Sequence, residues 1–215
     1  AATEEGQLAR IFVTTTIAPS VALLVAMIYT WIRNKKPDLV MSMNASLAGL
    51  VGVTAGCSNV DIIGSLVIGI VSGFLVMGVT WLLEHKLHLD DCVGAVPVHF
   101  ANGIWGIVAV GFFDVENGLF YSGSWELLGI QLLGIVTILA WTTVCMIIFF
   151  SAIKYVPVMI KYKTVKPAEV IAYGKTWNGL RCNPEEELIG LDISEHGLTS
   201  SYPAFVPSVP SYDTA

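Results

Sequence analysis

The stretch Ile11–Ile32, IFVTTTIAPSVALLVAMIYTWI, contains 22 residues and no Asp, Glu, Lys or Arg. A helix that crosses a membrane needs about 20 consecutive, mainly apolar residues with few or no charges. Arg10 and Arg33 bound the stretch at its two ends. We therefore predict that it forms a transmembrane helix.

The rest of the chain has the same apolar character. Its 215 residues are 54% hydrophobic and 13% charged, whereas an ordinary soluble domain is about 25% charged. Four more stretches pass the same test: residues 39–60, 62–83, 92–113 and 127–153. The sequence therefore predicts an all-α membrane protein with five transmembrane helices.

The positions of Lys and Arg predict how these helices are oriented. Five is an odd number, so the two ends of the chain lie on opposite sides of the membrane. With the N-terminus outside, the cytoplasmic segments hold 10 of the 11 Lys and Arg residues, as the positive-inside rule requires. We predict an N-out, C-in transmembrane domain over residues 1–153. Residues 154–215 then form a cytoplasmic tail, with a Pro- and Ser-rich end at 200–215 that we expect to be disordered.

Composition and spacing argue against several functions. The net charge of −6 disfavours nucleic-acid binding, which requires a clustered basic face. The sequence has no nucleophile–base pair, no glycine loop for nucleotides and no cluster of metal ligands. We therefore expect neither an enzyme nor a bound cofactor or metal. The four cysteines, at positions 57, 92, 145 and 182, lack metal-ligand spacing.

His99 is the titratable side chain that could carry chemistry. It lies eight residues into the fourth predicted span, about 12 Å along the helix. Ionisable groups at such depth usually face a bundle interior or an aqueous path, and an imidazole can relay a proton. The alternative is a histidine that bonds a nearby carbonyl and only holds helices together. Three small or modest residues lie three or four positions away and could border a narrow lumen: Ala95, Asn102 and Gly103.

Other polar and small residues also have two interpretations. Asp90 and Asp91 stand before the fourth span, where they either cap the helix or fix a neighbouring helix break or polar loop. Thr54 either bonds the carbonyl one turn back or has a functional role. Small residues recur at spacings such as Gly52-x-x-x-Gly56, which predict close helix packing within one chain or at an oligomer interface.

Four segments together resemble the Amt/Mep/Rh ammonium transporters, and the Amt branch in particular. They are Leu47–Cys57 (LAGLVGVTAGC), Ile68–Gly73 (IGIVSG), Asp90–Gly106 (DDCVGAVPVHFANGIWG) and Glu185–Gly197 (EEELIGLDISEHG). The resemblance extends from about Gln7 to Tyr202. It implies that the five spans correspond to the last five of an eleven-helix inverted-repeat transporter.

The resemblance implies a function for His99 as well. It places His99 on the second of the family's two pore histidines, which accept largely dehydrated ammonium and discriminate against potassium. Ammonium or ammonia would be the substrate, and the protein would be a homotrimer in the plasma membrane. Residues near His99 would line or support the pore: Asp90, Asp91, Thr54, Ala95, Asn102 and Gly103.

The tail resembles the family's closing signature, which implies a regulatory segment packed under the trimer. Its candidate residues are Asp192, Ser194, His196 and Gly197. A phosphate on Ser194 would add about two negative charges beside Glu195, so Ser194 is a candidate switch.

The chain departs from the family pattern in two ways. Phe100 follows the pore histidine where the family usually has Gly. The first six spans, with the other pore histidine, have no counterpart in the sequence. We expect a C-terminal fragment of a longer transporter or a half-protein that works with a partner. The alternative function is a non-conducting regulatory or structural membrane subunit.

Overall fold

The computed structural model describes residues 4–89, 91 and 93–161. These residues are helical, apart from loops and one isolated β-bridge between Val60 and Asp114. The predicted tail residues Asp192, Ser194, His196 and Gly197 lie outside this described part, as does Asp90. The helices are α1 (Glu4–Asn34), α2 (Leu39–Thr54), α3 (Ile62–Leu82), α4 (Asn102–Phe113), the single turn α5 (Leu119–Ser122) and α6 (Glu126–Lys161).

Four helical segments in the described residues are long and apolar enough to cross a membrane. They are Gly6–Asn34, Ile62–Leu87, Val96–Phe113 and Glu126–Tyr155. Two of them include π-helical turns, Leu83–Leu87 after α3 and Val96–Ala101 before α4. All four overlap stretches that the sequence predicts as spans. In its described residues the protein is therefore all-helical, with several helices of the length and apolar character of membrane spans.

The remaining predicted span is shorter in the structure. The charge-free stretch is 22 residues, 39–60, but α2 has 16 and ends at Thr54. Residues 55–60 turn instead, with the amides of Asn59 and Val60 both donating to the Gly56 carbonyl at 2.9 Å. At 1.5 Å per residue α2 is about 24 Å long, less than the roughly 30 Å hydrocarbon core.

Small residues bring the helices of the first compact unit, residues 1–140, into close contact. An ideal Cβ on Gly49 would lie 2.7 Å from the Ala18 carbonyl oxygen, and one on Gly73 would lie 2.9 Å from that of Ala22. Backbones therefore touch where α1 meets α2 and α3. This confirms the interpretation of these small residues as packing contacts within one chain.

The second unit comprises residues 141–215, of which the structure describes the last part of α6. Its apolar side chains are largely exposed, including Trp141 at 72% and Ile148 at 64%. Such a surface suits contact with hydrocarbon, because lipid chains solvate apolar side chains without penalty.

Candidate functional site

The candidate site lies on the π-helical turn Val96–Ala101, which we call the His99 turn. Its second residue, Pro97, has no backbone N–H and so cannot bond the Val93 carbonyl in the usual helical pattern. Asn44, from α2, contacts that carbonyl instead, with its Nδ2 3.4 Å from the oxygen. Single π-helical turns within helices are frequent at functional sites, because they change the direction of the side chains that they carry.

Asp91 and Gly94 begin this segment. The Asp91 carboxylate accepts hydrogen bonds from the amides of Ala95 at 2.9 Å and Val96 at 2.8 Å. It therefore satisfies two N–H groups that have no partner within the helix, as an N-terminal cap does. Gly94 has a φ of +72°, and a Cβ there would lie 2.8 Å from Asn44 Nδ2. Glycine suits this position in both conformation and space.

Asn102 directly follows the His99 turn, as the first residue of α4, and is fully buried, with 0% of its surface exposed. Its Nδ2 donates a hydrogen bond of 2.8 Å to the carbonyl of Pro97, five residues back. Its Oδ1 is one of two buried side-chain atoms in the described residues without a hydrogen-bond partner; the other is Ser72 Oγ. The side chain of Asn102 thus connects the start of α4 to the beginning of the His99 turn.

His99 itself is exposed on the surface of these helices, and so is Phe100, at 53%. Ala95, His99 and Gly103 recur every four residues and share one helix face. Ala95 is exposed as well, and Gly103 is half-buried. Chemically, this face presents one imidazole on an apolar helix, flanked by small residues that leave room around it.

Thr54 lies apart from this arrangement. Its hydroxyl is exposed and donates to the Leu50 carbonyl one turn back at 2.6 Å. This is the simpler of the two alternatives that the sequence offers for it. Asp91, Ala95, His99, Asn102 and Gly103 therefore lie along one continuous segment of the chain, and Asn44 of α2 contacts the beginning of that segment at Val93.

A second polar cluster lies at the opposite end of α4. Asp114, which is 4% exposed, accepts from the side-chain amide of Asn59 at 2.9 Å and the amides of Asn117 at 2.8 Å and Glu116 at 3.0 Å. Burial alone would raise its pKa, but these three hydrogen bonds to the charged form hold the pKa below its ordinary value. The sequence analysis missed this cluster. Its signal is an Asp directly after an apolar helix, and an Asn in a run of turn-forming residues.

Tyr121 extends the same polar region. The interaction of its hydroxyl with Asp61 raises the pKa of the tyrosine above its ordinary value. Asp61 also caps α3, with its Oδ1 accepting from the Gly64 amide at 2.7 Å. The loops at this end of the helices are thus held by carboxylates.

A groove of about 590 Å³ is lined by residues at the ends of α1 and α3, among them Tyr29, Arg33, Trp81 and His85. The His85 ring stacks on Trp81 at a centroid distance of 5.8 Å, and Arg33 donates to the Tyr29 hydroxyl at 2.8 Å. Aromatic and basic side chains at helix ends are typical of a membrane–water interface, which accounts for this groove without a ligand.

Residues 1–176 match the Ammonium Transporter Family. Ammonium transporter Amt2 of Archaeoglobus fulgidus is 37% identical over 204 residues, which are 89% of this chain and 38% of the relative. Ammonium transporter 3 of Dictyostelium discoideum is 30% identical over 199 residues, 87% of this chain and 41% of the relative. The chain thus spans about two fifths of the length of these relatives.

Solved structures have the same fold. A structure described as Sensor Amt Protein superposes with a TM-score of 0.67 at 28% identity, over 88% of this chain and 42% of that one. The crystal structure of Candida albicans Mep2 superposes with a TM-score of 0.64, over 70% of this chain and 35% of that one. At 24% identity, the second likeness shows the fold alone.

Proposed function

Because this chain belongs to the ammonium transporter family, we propose that it forms one wall of a membrane pore that conducts ammonium or ammonia. Its relatives are named as ammonium transporters rather than as enzymes, and its helices make it a multi-pass integral membrane protein. The single observation that carries the proposal is the exposed imidazole of His99 on an otherwise apolar helix.

The chemistry of an imidazole suits this role. A bare cation in the hydrocarbon core costs at least about 2.5 kcal/mol, even on the lower scales. Ammonium can reduce that cost, because it donates N–H hydrogen bonds to an imidazole nitrogen and can release its proton. Potassium has neither property. His99 therefore favours ammonium over potassium, and an imidazole can relay the proton that ammonium releases.

The exposure of His99 also implies a second wall. A pore requires side chains on its other side, and this chain spans about two fifths of the length of its relatives. Further helices supply that side, either from the same polypeptide or from a partner chain. Phe100, exposed beside His99, either narrows the pore or faces lipid.

We further propose the arrangement of the whole assembly. The Lys and Arg distribution supports an N-out, C-in orientation, with the tail from residue 154 in the cytoplasm. The family resemblance supports a homotrimer in the plasma membrane, with the tail beneath it and Ser194 as a candidate phosphorylation site. In the tail, Asp192, His196 and Gly197 belong to the same regulatory segment.

Substitution of His99 tests the proposed function. The native protein carrying His99→Ala is reconstituted in liposomes, and uptake of ammonium and of potassium is measured separately. We expect ammonium uptake to fall on the order of fiftyfold or more. This factor corresponds to the cost of about 2.5 kcal/mol that the imidazole no longer offsets, since each 1.4 kcal/mol is a factor of ten. Potassium uptake should not fall in parallel, so the ammonium-to-potassium ratio should drop.

His88→Asn is the matched control. His88 is exposed and has a φ of 51°, a conformation that Asn tolerates. This variant removes an imidazole outside the apolar part of the helices and should transport ammonium as the unmodified protein does. If His99→Ala assembles and also transports normally, the pore role of His99 is wrong. If the unmodified protein does not transport at all, a non-conducting subunit becomes the better interpretation.

A further inference from the structure

The buried side chain of Asn102 lowers the stability of the fold. It is fully buried, and its Oδ1 has no hydrogen-bond partner. A buried polar atom without a partner is destabilising, and an apolar side chain of similar shape avoids that loss. If the position served only to pack α4 against its neighbours, a leucine would serve it better. Asn102 therefore has a role that packing does not explain.

The one hydrogen bond that Asn102 makes indicates this role. Its Nδ2 bonds the Pro97 carbonyl, five residues back, at 2.8 Å. Five residues is the hydrogen-bond spacing of a π-helical turn, whereas the hydrogen bonds of an α-helix span four. The bond therefore favours the wide turn over a regular one. His99 lies between the two bonded residues and is carried by that turn.

The helix that carries Asn102 is itself firmly anchored. Trp105 Nε1 donates to the Ile68 carbonyl of α3 at 3.3 Å. A Cβ on Gly106 would lie 2.7 Å from the backbone oxygen of Gly52 in α2, so the two backbones are in contact. Asn102 thus stands on a fixed helix end and holds the adjoining turn to it.

We propose that Asn102 is the positioning residue of His99. Its hydrogen bond to the Pro97 carbonyl holds the His99 turn in place and so sets the direction in which the imidazole faces the pore. This inference rests on the proposed function of His99. Asn102 does not touch the substrate, because it is fully buried; it acts through the geometry of the turn.

The test combines Asn102→Leu with His99→Ala in the native protein reconstituted in liposomes. Asn102→Leu removes the bond to Pro97 and keeps a branched side chain with the same number of heavy atoms. We expect it to lower the ratio of ammonium to potassium uptake about fivefold or more, the factor that corresponds to one lost hydrogen bond. Its melting temperature in detergent should be unchanged or higher, because the unpartnered Oδ1 is also removed. A purely structural role would not lower the uptake ratio at preserved stability.

Ser72→Ala is the matched control. It removes Ser72 Oγ, the other buried side-chain atom in the described residues without a hydrogen-bond partner. This hydroxyl therefore makes no hydrogen bond to Pro97 or His99. We expect its uptake ratio to equal that of the unmodified protein. If Asn102→Leu does not accumulate, Asn102→Ser replaces it. A serine hydroxyl bonds carbonyls three or four residues back, so this variant also loses the bond to Pro97.

The double variant separates failure of this inference from failure of the proposed function. If Asn102 acts through His99, adding Asn102→Leu to His99→Ala should not change the uptake ratio further. The positioning role is overturned if His99→Ala lowers the ratio of ammonium to potassium uptake but Asn102→Leu and Asn102→Ser do not. The pore role of His99 then stays intact. Additive effects of the two substitutions also overturn it. A normal ratio in His99→Ala alone overturns the proposed function instead.

Discussion

Asp114 is the buried carboxylate that joins two loops at one end of the bundle. Its Oδ2 accepts from Asn59, which precedes α3, while its Oδ1 accepts from the two amides that follow α4. The Val115 amide adds a backbone bond to the Asn59 carbonyl at 2.9 Å. The carboxylate therefore fixes where α4 ends relative to the turn after α2.

We predict that Asp114→Ala destabilises the protein by about 2–3 kcal/mol, because hydrogen bonds to a charged group are lost and buried donors remain unpaired. The measurement is the melting temperature in detergent, which should fall by roughly 5 °C or more. Asp114→Asn keeps an oxygen for the two backbone amides and should lose less. Equal melting of Asp114→Ala and the unmodified protein would contradict this account.

The stabilisation by Asp114 also depends on pH. Hydrogen bonds hold its pKa below the ordinary value of about 3.8 in the folded protein. Its contribution is therefore fully present above that value, and it is lost as the pH falls through the lowered folded pKa. The difference in melting temperature between the unmodified protein and Asp114→Ala should accordingly be constant near neutral pH and shrink in strong acid.

His99 shows how far sequence reasoning reaches at the scale of a residue. An imidazole within a charge-free run is recognisable from the sequence, because titratable groups are rare there. The contacts of Asn44 and Asn102 are not recognisable, because they depend on a π-helical turn and on an approach of α2 across 49 residues of sequence. An amide in an apolar segment does not itself reveal which carbonyl it bonds.

The ends of α2 and α4 show the corresponding limit for whole elements. Hydropathy predicts the apolar segments because charge is costly in lipid, but it is insensitive to breaks within them. Residues 55–60 are free of charge yet include Gly56, Ser58 and Asn59, which favour turns. The fourth span likewise contains the His99 turn, so its regular helix begins only at Asn102. Turn-forming residues, rather than charge, mark these boundaries.

Contact between α2 and α4 depends on two glycines. A Cβ on Gly106 would meet three backbone atoms of Gly52, the nearest at 2.7 Å, and backbone cannot move aside as a flexible side chain can. We predict that Gly106→Ala separates the two helices and costs about 1–3 kcal/mol, the usual range for overpacking. The measurement is again the melting temperature in detergent, at neutral pH.

Gly103→Ala provides the control on the same helix. Apart from the chain neighbours of Gly103 and its own helix backbone, no atom lies within 4 Å of an ideal Cβ at this position. Alanine is also the better helix former by about 1 kcal/mol. This variant should melt at the same temperature as the unmodified protein or higher. If both alanine variants lowered stability alike, helix propensity or lipid contact would explain the loss, and the close approach of α2 and α4 would not.

For the whole molecule, the arrangement of buried and exposed surface indicates what completes the pore. The small residues face inward, where α1 packs on α2 and α3, while His99 and Phe100 face outward. A proton-relaying imidazole facing hydrocarbon would serve no purpose and would be costly. If His99 has the proposed pore role, its surroundings therefore come from polypeptide beyond the described helices.

We predict that the protein that carries this sequence in its source membrane has an intact mass well above the 23.2 kDa of these residues, near twice that value or more. The reason is that the relatives it matches are more than twice as long as the matched region, and a pore needs two walls. Intact mass spectrometry of the purified native protein makes the measurement. Denaturation before analysis distinguishes one long chain from two associated ones.

A denatured mass near twice 23.2 kDa, or above it, would place both walls in one polypeptide. A denatured mass of 23.2 kDa, together with a second chain of different mass in the same native complex, would mean that a partner chain supplies the second wall. Liposomes containing only the 23.2 kDa chain should then not conduct ammonium, and adding the partner should restore conduction. Ammonium conduction by this chain alone would contradict the need for a longer polypeptide or a different partner, because a second copy of the same chain would then close the exposed face of His99.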